Sequence, residues 1–329
     1  MPASLHERLG AHRVLDPPGG LPQPARRLDA LAPLRTTELA LAVERISLDA
    51  WSFRQLWGEA FEERLLALVR ERGKLHNPST DSGGTLLGVV VEIGPIAAAE
   101  RGLAVGDRVV PLVSASAIPL VLERVLGVRP ESAEVEVEGR AVLPLAFPVA
   151  RAPVDLDPHL VLAAADTAGA PGLVHDLTEP GGRVAVLGAN GTAGLLACAA
   201  ARERGAAEVV GIDLVTDALE RTGVAEPVRV DATDALSALD ALDGFEADVV
   251  AHAAAAPGCE AAAVAAVAAE GTIVLFSLAT SFQRCVNVAD VFGKRPRMLI
   301  ANALRLHHAD LAYDLLRRYP AVREEIARR

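Results

Sequence analysis

The chain has 329 residues, 51% of them hydrophobic and 23% charged, enough apolar surface for two packed cores in a soluble globular protein. Its net charge of -11 argues against binding to nucleic-acid phosphates or anionic membrane surfaces. The most apolar stretch, 247–279, is broken by His252, Pro257, Glu260 and Glu270, so no membrane-spanning segment is expected. The 3 cysteines, Cys198, Cys259 and Cys285, form no CxxC pair, which points to unpaired thiols in a reducing cytoplasm.

Taken in chain order, residues 1–35 are rich in proline and glycine ("LDPPGGLPQPARR") and read as an extended, irregular arm. "TTELALAVERISLD" alternates as a strand does. A helical pattern follows through "QLWGEAFEERLLALVRERG" and ends at Gly73, a suitable C-cap. "TLLGVVVEIGP" and "GLAVGDRVVPLV" are further strands, so the first half is strand-rich with few helices. From about residue 158 the pattern changes. The apolar strands "RVAVLGA", "AEVVGID", "ADVVAHAA" and "GTIVLFSL" alternate with helical segments 192–205, 217–223 and 258–269, which predicts an α/β, doubly wound parallel sheet of Rossmann type.

Between the first of these strands and the next helix lie Gly188, Gly191 and Gly194, with Asp213 ending the following strand. Glycines at this spacing let the backbone turn tightly and approach a pyrophosphate, while the helix N-terminus offers amide N–H groups to the negative charge. The cofactor-binding set expected here is Gly188, Asn190, Gly191, Thr192, Ala193, Gly194 and Asp213, joined by Ala253 and Ser277 at the ends of later strands. Asp213 would accept hydrogen bonds from the adenine ribose and repel a 2′-phosphate. Leu214 and Val215 bring no cation, so NAD is expected over NADP. His252, at a strand end, reads more readily as a half-buried structural residue than as a catalyst.

A strand-rich domain carrying "GGTLLGVVVEIG" and "LAVGDRVVPL", followed by a dinucleotide domain, resembles the medium-chain dehydrogenase/reductase superfamily. "HRVLDPPGGLPQPARRLD", "RGKLHNPSTDSGGTLLG" and "FSLATSF" resemble, within it, the L-erythro-3,5-diaminohexanoate dehydrogenase family. The resemblance implies a strand-rich GroES-like catalytic domain over 1–155, a Rossmann NAD-binding domain over 156–300 and a C-terminal helix, 301–329, packing back between them. It also implies NAD-dependent oxidative deamination of L-erythro-3,5-diaminohexanoate to 5-amino-3-oxohexanoate, a step of lysine fermentation, by a cytoplasmic homodimer. Two departures stand out: the chain closes on a helix without the superfamily's return strand, and Asp81 occupies a place expected to be smaller.

Zinc-dependent members of the superfamily open the "GGTLLG" strand with a glycine, a metal-binding histidine and a glutamate. Here those last two places are Gly84 and Thr85. A zinc centre needs three protein ligands of the His, Cys or carboxylate type, and no cysteine lies near the other two expected places, around Asp49 and around 163–166. Metal-free catalysis is therefore expected. An amine can dispense with zinc because its own lone pair drives hydride loss, giving an iminium that water attacks. The protein must deprotonate an ammonium, orient the carbon and activate water.

Candidates for these tasks are Lys74, His76, Asn77, Thr80, Asp81 and Ser82 in "KLHNPSTDSGG", together with Asp166, and Thr167 beside it at the expected nicotinamide face. Asp49 and Ser52 are weaker candidates, since both are common helix caps. Lys74 is one of only two lysines, with Lys294, in a chain that otherwise uses arginine. It reads either as a substrate-carboxylate or proton-transfer group, or as a solvated cation after the helix end. Two other functions remain open: a zinc-free carbonyl or quinone-type reductase, and a catalytically dead nucleotide-binding subunit.

Overall fold

A computed structural model describes residues 4–77, 79, 82–276, 282–301 and 306–329. The chain divides into two compact units, Met1–Leu162 and Ala163–Arg329, with the division inside helix Pro158–Thr167.

The first unit is built on a 6-stranded sheet whose core is antiparallel. At its centre, strand Glu38–Ser47 pairs on one side with Thr85–Ile93 and on the other with Glu134–Pro144. Leu39, Leu41, Val43 and, past an irregularity in the register, Ile46 of the central strand meet Leu86, Val90, Val135, Val137 and Leu143 in one apolar cluster. The pairing of Leu120–Arg129 with Glu134–Pro144 extends the sheet. The single helical pattern expected over 55–73 is two helices, Ala50–Leu56 and Phe61–Arg72. Gly58 at φ 123° and the left-handed Ala60 separate them, and Gly73 caps the second in the left-handed region as expected.

The arm also carries more structure than its composition suggests. Ser4 caps a short helix, Leu5–Arg8, and Val14–Asp16 pairs with Arg27–Leu28 in a two-stranded ribbon. Arg13 anchors it. This fully buried guanidinium donates from Nε (2.8 Å) and Nη2 (2.5 Å) to the two oxygens of buried Glu38, and to the carbonyls of Ala32 and Pro33. Burial alone would push the Glu38 carboxyl up, but hydrogen bonds from Arg13, His12 and the Arg35 amide outweigh it and hold the pKa at about 2.

The second unit is the expected parallel sheet, with two more strands than the four read from the sequence. Its strands are Arg183–Leu187, Glu208–Asp213, Glu226–Arg229, Ala247–His252, Val267–Leu275 and Arg297–Ile300. Numbered in that sequence they lie side by side as third, second, first, fourth, fifth, sixth, and every neighbouring pair is parallel. That is the doubly wound order, with its switch point between the first and fourth strands. Helices Leu306–Arg318 and Pro320–Ala327 are fastened to this same unit. Arg221 grips Glu325 through two 2.9 Å hydrogen bonds, and Arg318 pairs with Glu203. Among the described residues, no helix is long and apolar enough to cross a membrane.

Candidate active site: the glycine-loop cradle and the 74–84 loop

The glycine loop follows strand Arg183–Leu187 at the switch point and leads into helix Thr192–Glu203. Gly188 sits at φ 75°, and a Cβ there would lie 2.6 Å from the amide nitrogen of Ala254, so the loop is pressed against the chain leaving the fourth strand. That contact brings Ala253 alongside the loop, and the Ala253 amide donates to the Leu187 carbonyl (2.9 Å). A Cβ at Gly194 would overlap the Gly188 carbonyl oxygen and stand 2.5 Å from Ala189 Cα, so the helix approaches the loop as closely as a missing side chain permits. At Gly191, by contrast, a Cβ would meet only the Gly188 oxygen, at 3.4 Å.

The space over Gly191 is therefore open, at a helix N-terminus that no side chain caps. The first intrahelical bond runs from Leu195 to Gly191, leaving the amides of Thr192, Ala193 and Gly194 without helical acceptors. Open space over amides without helical acceptors suits a dinucleotide pyrophosphate.

Asp213 closes the second strand, half-buried. Its Oδ2 accepts from the Asn190 amide (3.0 Å) and its Oδ1 from the Leu214 amide (2.8 Å). Two backbone donors thus fix the carboxylate and leave lone pairs on both oxygens for ribose hydroxyls. Asn190, expected to touch the cofactor, directs its side chain elsewhere: Oδ1 accepts from the Ala218 amide (2.9 Å), which ties the glycine loop to helix Asp217–Thr222. Two cations were not foreseen. Arg229 donates to the Leu214 carbonyl (3.1 Å), and Arg329 donates to the Asn190 carbonyl (2.5 Å). Both partnerships span distant parts of the chain, and only the pairing of Asp213 with Arg229 in adjacent strands could have hinted at the first.

The Thr167 hydroxyl donates to the Ala163 carbonyl (2.8 Å) inside its own helix, and Asp166 is exposed beside it. His252 is fully buried rather than half-buried, and burial holds its imidazole below the ordinary histidine pKa. Ser277, Thr80 and Asp81 lie outside the described residues.

In the first unit the 74–84 loop is a hydrogen-bonded structure as well as a cluster of polar groups. The Asn77 amide donates to the Ser82 carbonyl (2.8 Å), and the Asn77 side chain donates to Ser52 Oγ (2.7 Å) and Gln55 Oε1 (2.9 Å). Asp49 caps helix Ala50–Leu56 through the Ser52 amide and also receives the Ser52 hydroxyl. Asp49 and Ser52 thus act as the caps their position suggests, and in addition hold Asn77. His76 is buried, its Nδ1 3.3 Å from Arg72 Nη1. Ser114 and Ser116, missed in the sequence reading, brace the far side: Ser114 Oγ accepts from the Gly83 amide (3.0 Å), and Ser116 donates to Gln23 of the arm (2.8 Å).

Lys74 has no exposed surface. Its Nζ donates to the carbonyls of Pro22 (3.1 Å) and Gln23 (2.9 Å), so it clamps the arm to the loop. This overturns the solvated helix-end cation as an explanation for a lysine here.

At Gly84, the place of the superfamily's histidine ligand, the backbone itself has changed. Gly84 is at φ 70°, and a Cβ would overlap the Ser47 carbonyl oxygen and crowd Leu48 Cα at 3.1 Å. No side chain of any kind fits this backbone, so position 84 offers neither a ligand nor room for one.

Comparison with known proteins bears directly on this arrangement. Two curated proteins named L-erythro-3,5-diaminohexanoate dehydrogenase align with nearly the whole chain. The one from Acetoanaerobium sticklandii is 32% identical and the one from Fusobacterium nucleatum 33%, each alignment covering 96% of both chains. The chain belongs to the L-erythro-3,5-diaminohexanoate dehydrogenase family. Residues 12–153 match that family's N-terminal domain, and residues 184–292 match the NAD dependent epimerase/dehydratase family, which spans the glycine loop and Asp213. It is therefore an oxidoreductase. The fold is shared more widely. A quinone oxidoreductase from Coxiella burnetii superposes with a TM-score of 0.56 at 16% identity, covering 89% of this chain and 81% of that one. An alcohol dehydrogenase from Thermus sp. ATN1 gives 0.54 at 19% identity, covering 88% and 84%.

Proposed function

We propose that the protein catalyses the NAD-dependent oxidative deamination of L-erythro-3,5-diaminohexanoate to 5-amino-3-oxohexanoate, with release of ammonia and NADH. Full-length similarity to two dehydrogenases of that name carries the substrate assignment. In balance, the substrate's 3-ammonium carbon, NAD+ and water give a ketone, ammonium, NADH and a proton. NAD bound in the cradle supplies the hydride acceptor. The amides of Thr192, Ala193 and Gly194 would hold its pyrophosphate and Asp213 its adenine ribose. The fixed carboxylate favours NAD over its 2′-phosphorylated counterpart despite the nearby Arg229, because a dianionic group would face it at hydrogen-bonding range.

The polar groups of the 74–84 loop are proposed to recognise the ammonium groups, take up a proton and position water. Asn77 and Ser82 carry the geometric support, since the loop's own bridge joins them. Lys74 serves this reading as a buried tether that fixes the loop's shape. Neutralising an ammonium before hydride loss requires a base and no Lewis acid, which suits a site whose metal-ligand position is filled by backbone. Homodimer formation and a cytoplasmic setting complete the proposal.

The test is NADH formation from L-erythro-3,5-diaminohexanoate alongside a panel of β-amino acids, simple carbonyls and quinones. Turnover confined to amino acids of this type supports the reading. Reduction of quinones or carbonyls without any amine oxidation would replace it with the zinc-free reductase.

A further inference from the structure

A cluster of metal-capable groups lies in the Ala163–Arg329 unit. Asp176 closes helix Gly169–Leu177, and His307 and His308 open helix Leu306–Arg318. Both imidazoles converge on one oxygen: Nε2 of His308 is 3.2 Å, and Nε2 of His307 3.4 Å, from Asp176 Oδ2. The two rings meet edge to face with centroids 4.3 Å apart, and the three donor atoms all lie within 4.8 Å of one another.

Adjacent residues on a helix ordinarily point in different directions, so this convergence has a structural cause. The space for the His308 ring is made by Gly172, one turn before Asp176: a Cβ there would overlap His308 Cγ and stand 2.6 Å from Cδ2. His308 is thereby fully buried, while His307 keeps 56% of its side chain exposed and Asp176 35%.

Four-coordinate zinc binds nitrogen and carboxylate oxygen at roughly 2.0–2.2 Å, which sets neighbouring ligand atoms about 3.3 Å apart. The two observed edges match that spacing before any adjustment. Asp176 also lines a cavity of about 410 Å³ with Glu179, Asp248 and Glu270, an acidic approach open to a cation.

We propose that Asp176 Oδ2, His307 Nε2 and His308 Nε2 form a site for a divalent transition metal, best suited to Zn2+, that clasps the Leu306–Arg318 helix to the Gly169–Leu177 helix. Two nitrogens and one carboxylate oxygen are a borderline donor set suited to zinc, and the open side leaves a position for water. The cavity is lined by Asp248 and Arg297, which stand at the starts of their strands, whereas the glycine loop follows a strand end. A metal here would therefore be structural and take no part in hydride transfer. It would also join segments 131 residues apart in the chain.

The experiment uses the full chain, stripped with a chelator, with NAD present. Zn2+ titrated calorimetrically should bind at one per chain, and the thermal transition should rise with added Zn2+. His307→Ala, at an exposed position, and Asp176→Asn should each weaken binding by at least about 10–100-fold, the range for losing even a supporting group of a metal site, and should abolish the Zn2+-dependent rise. Co2+ in the site should show ligand-field bands without the thiolate charge-transfer absorption that binding at a cysteine would give. NADH turnover should be unchanged by stripping or by His307→Ala. Absence of one-to-one binding, or a His307→Ala chain that binds Zn2+ as the parent does, overturns the site.

Discussion

Gly84→Ala should destabilise the first unit substantially, because position 84 has lost the room for any side chain. The residue holds φ 70°, which costs an L-residue roughly 1–2 kcal/mol. The added Cβ would overlap the Ser47 carbonyl oxygen and lie 3.0 Å from its carbon. These are main-chain atoms of the central strand, and Ser47 is paired with Thr85, so relief requires opening the first rung of that ladder. Overpacking of this kind costs about 1–3 kcal/mol. The sum is roughly 2–5 kcal/mol, or a fall of about 4–20 °C in the melting temperature of a unit this size. Scanning calorimetry of parent and variant reads it directly. Gly84→His, the superfamily's ligand restored, should be at least as destabilised and should acquire no zinc in an Asp176→Asn background. A Gly84→Ala chain that melts with the parent, or a stable Gly84→His, Asp176→Asn chain holding one zinc, would refute the reasoning.

Asp213→Ser should narrow the preference for NADH over NADPH by removing the fixed carboxylate. Equal binding of the two by the parent, measured by fluorescence titration, would contradict the role given to Asp213. Glu38→Gln should cost about 3–5 kcal/mol by leaving the buried Arg13 unpaired. The depressed carboxyl adds a pH signature: its stabilisation is complete above the unfolded value of 4.5 and is lost as pH falls toward about 2, so acid unfolding of the parent should steepen there and that of Glu38→Gln should not. Lys74→Arg forces a larger planar cation into a site with no exposure, and should lower both kcat/KM and, by about 1–3 kcal/mol, stability; an unchanged thermal transition would show that Lys74 does not clamp the arm.

The dinucleotide unit was legible because its evidence is local. Gly188, Gly191 and Gly194 fall between an apolar strand and an alanine-rich helix, and the acid needed at the next strand end stands at the expected interval. The Gly73 cap was legible for the same reason, and so was the absence of a histidine at 84. The rest depended on partners far apart in sequence. Nothing near Lys74 foretells that carbonyls 51 and 52 residues earlier receive its ammonium. The ties of Arg329 to the Asn190 carbonyl and of His307 to Asp176 are of the same long-range kind. The break between helices Ala50–Leu56 and Phe61–Arg72 was signalled by Gly58, but an amphipathic pattern continuing across it hid the signal. The ribbon in the arm was masked by proline and glycine content, although the buried Arg13–Glu38 pair ties that segment to the central strand.

The most direct test of the central claim is the stoichiometry of ammonium to NADH during turnover of L-erythro-3,5-diaminohexanoate by the purified chain with NAD. Oxidative deamination at the 3-ammonium carbon predicts one ammonium released for each NADH formed, with 5-amino-3-oxohexanoate as the organic product. NADH appearing without ammonium, or no NADH from this substrate at all, would contradict it.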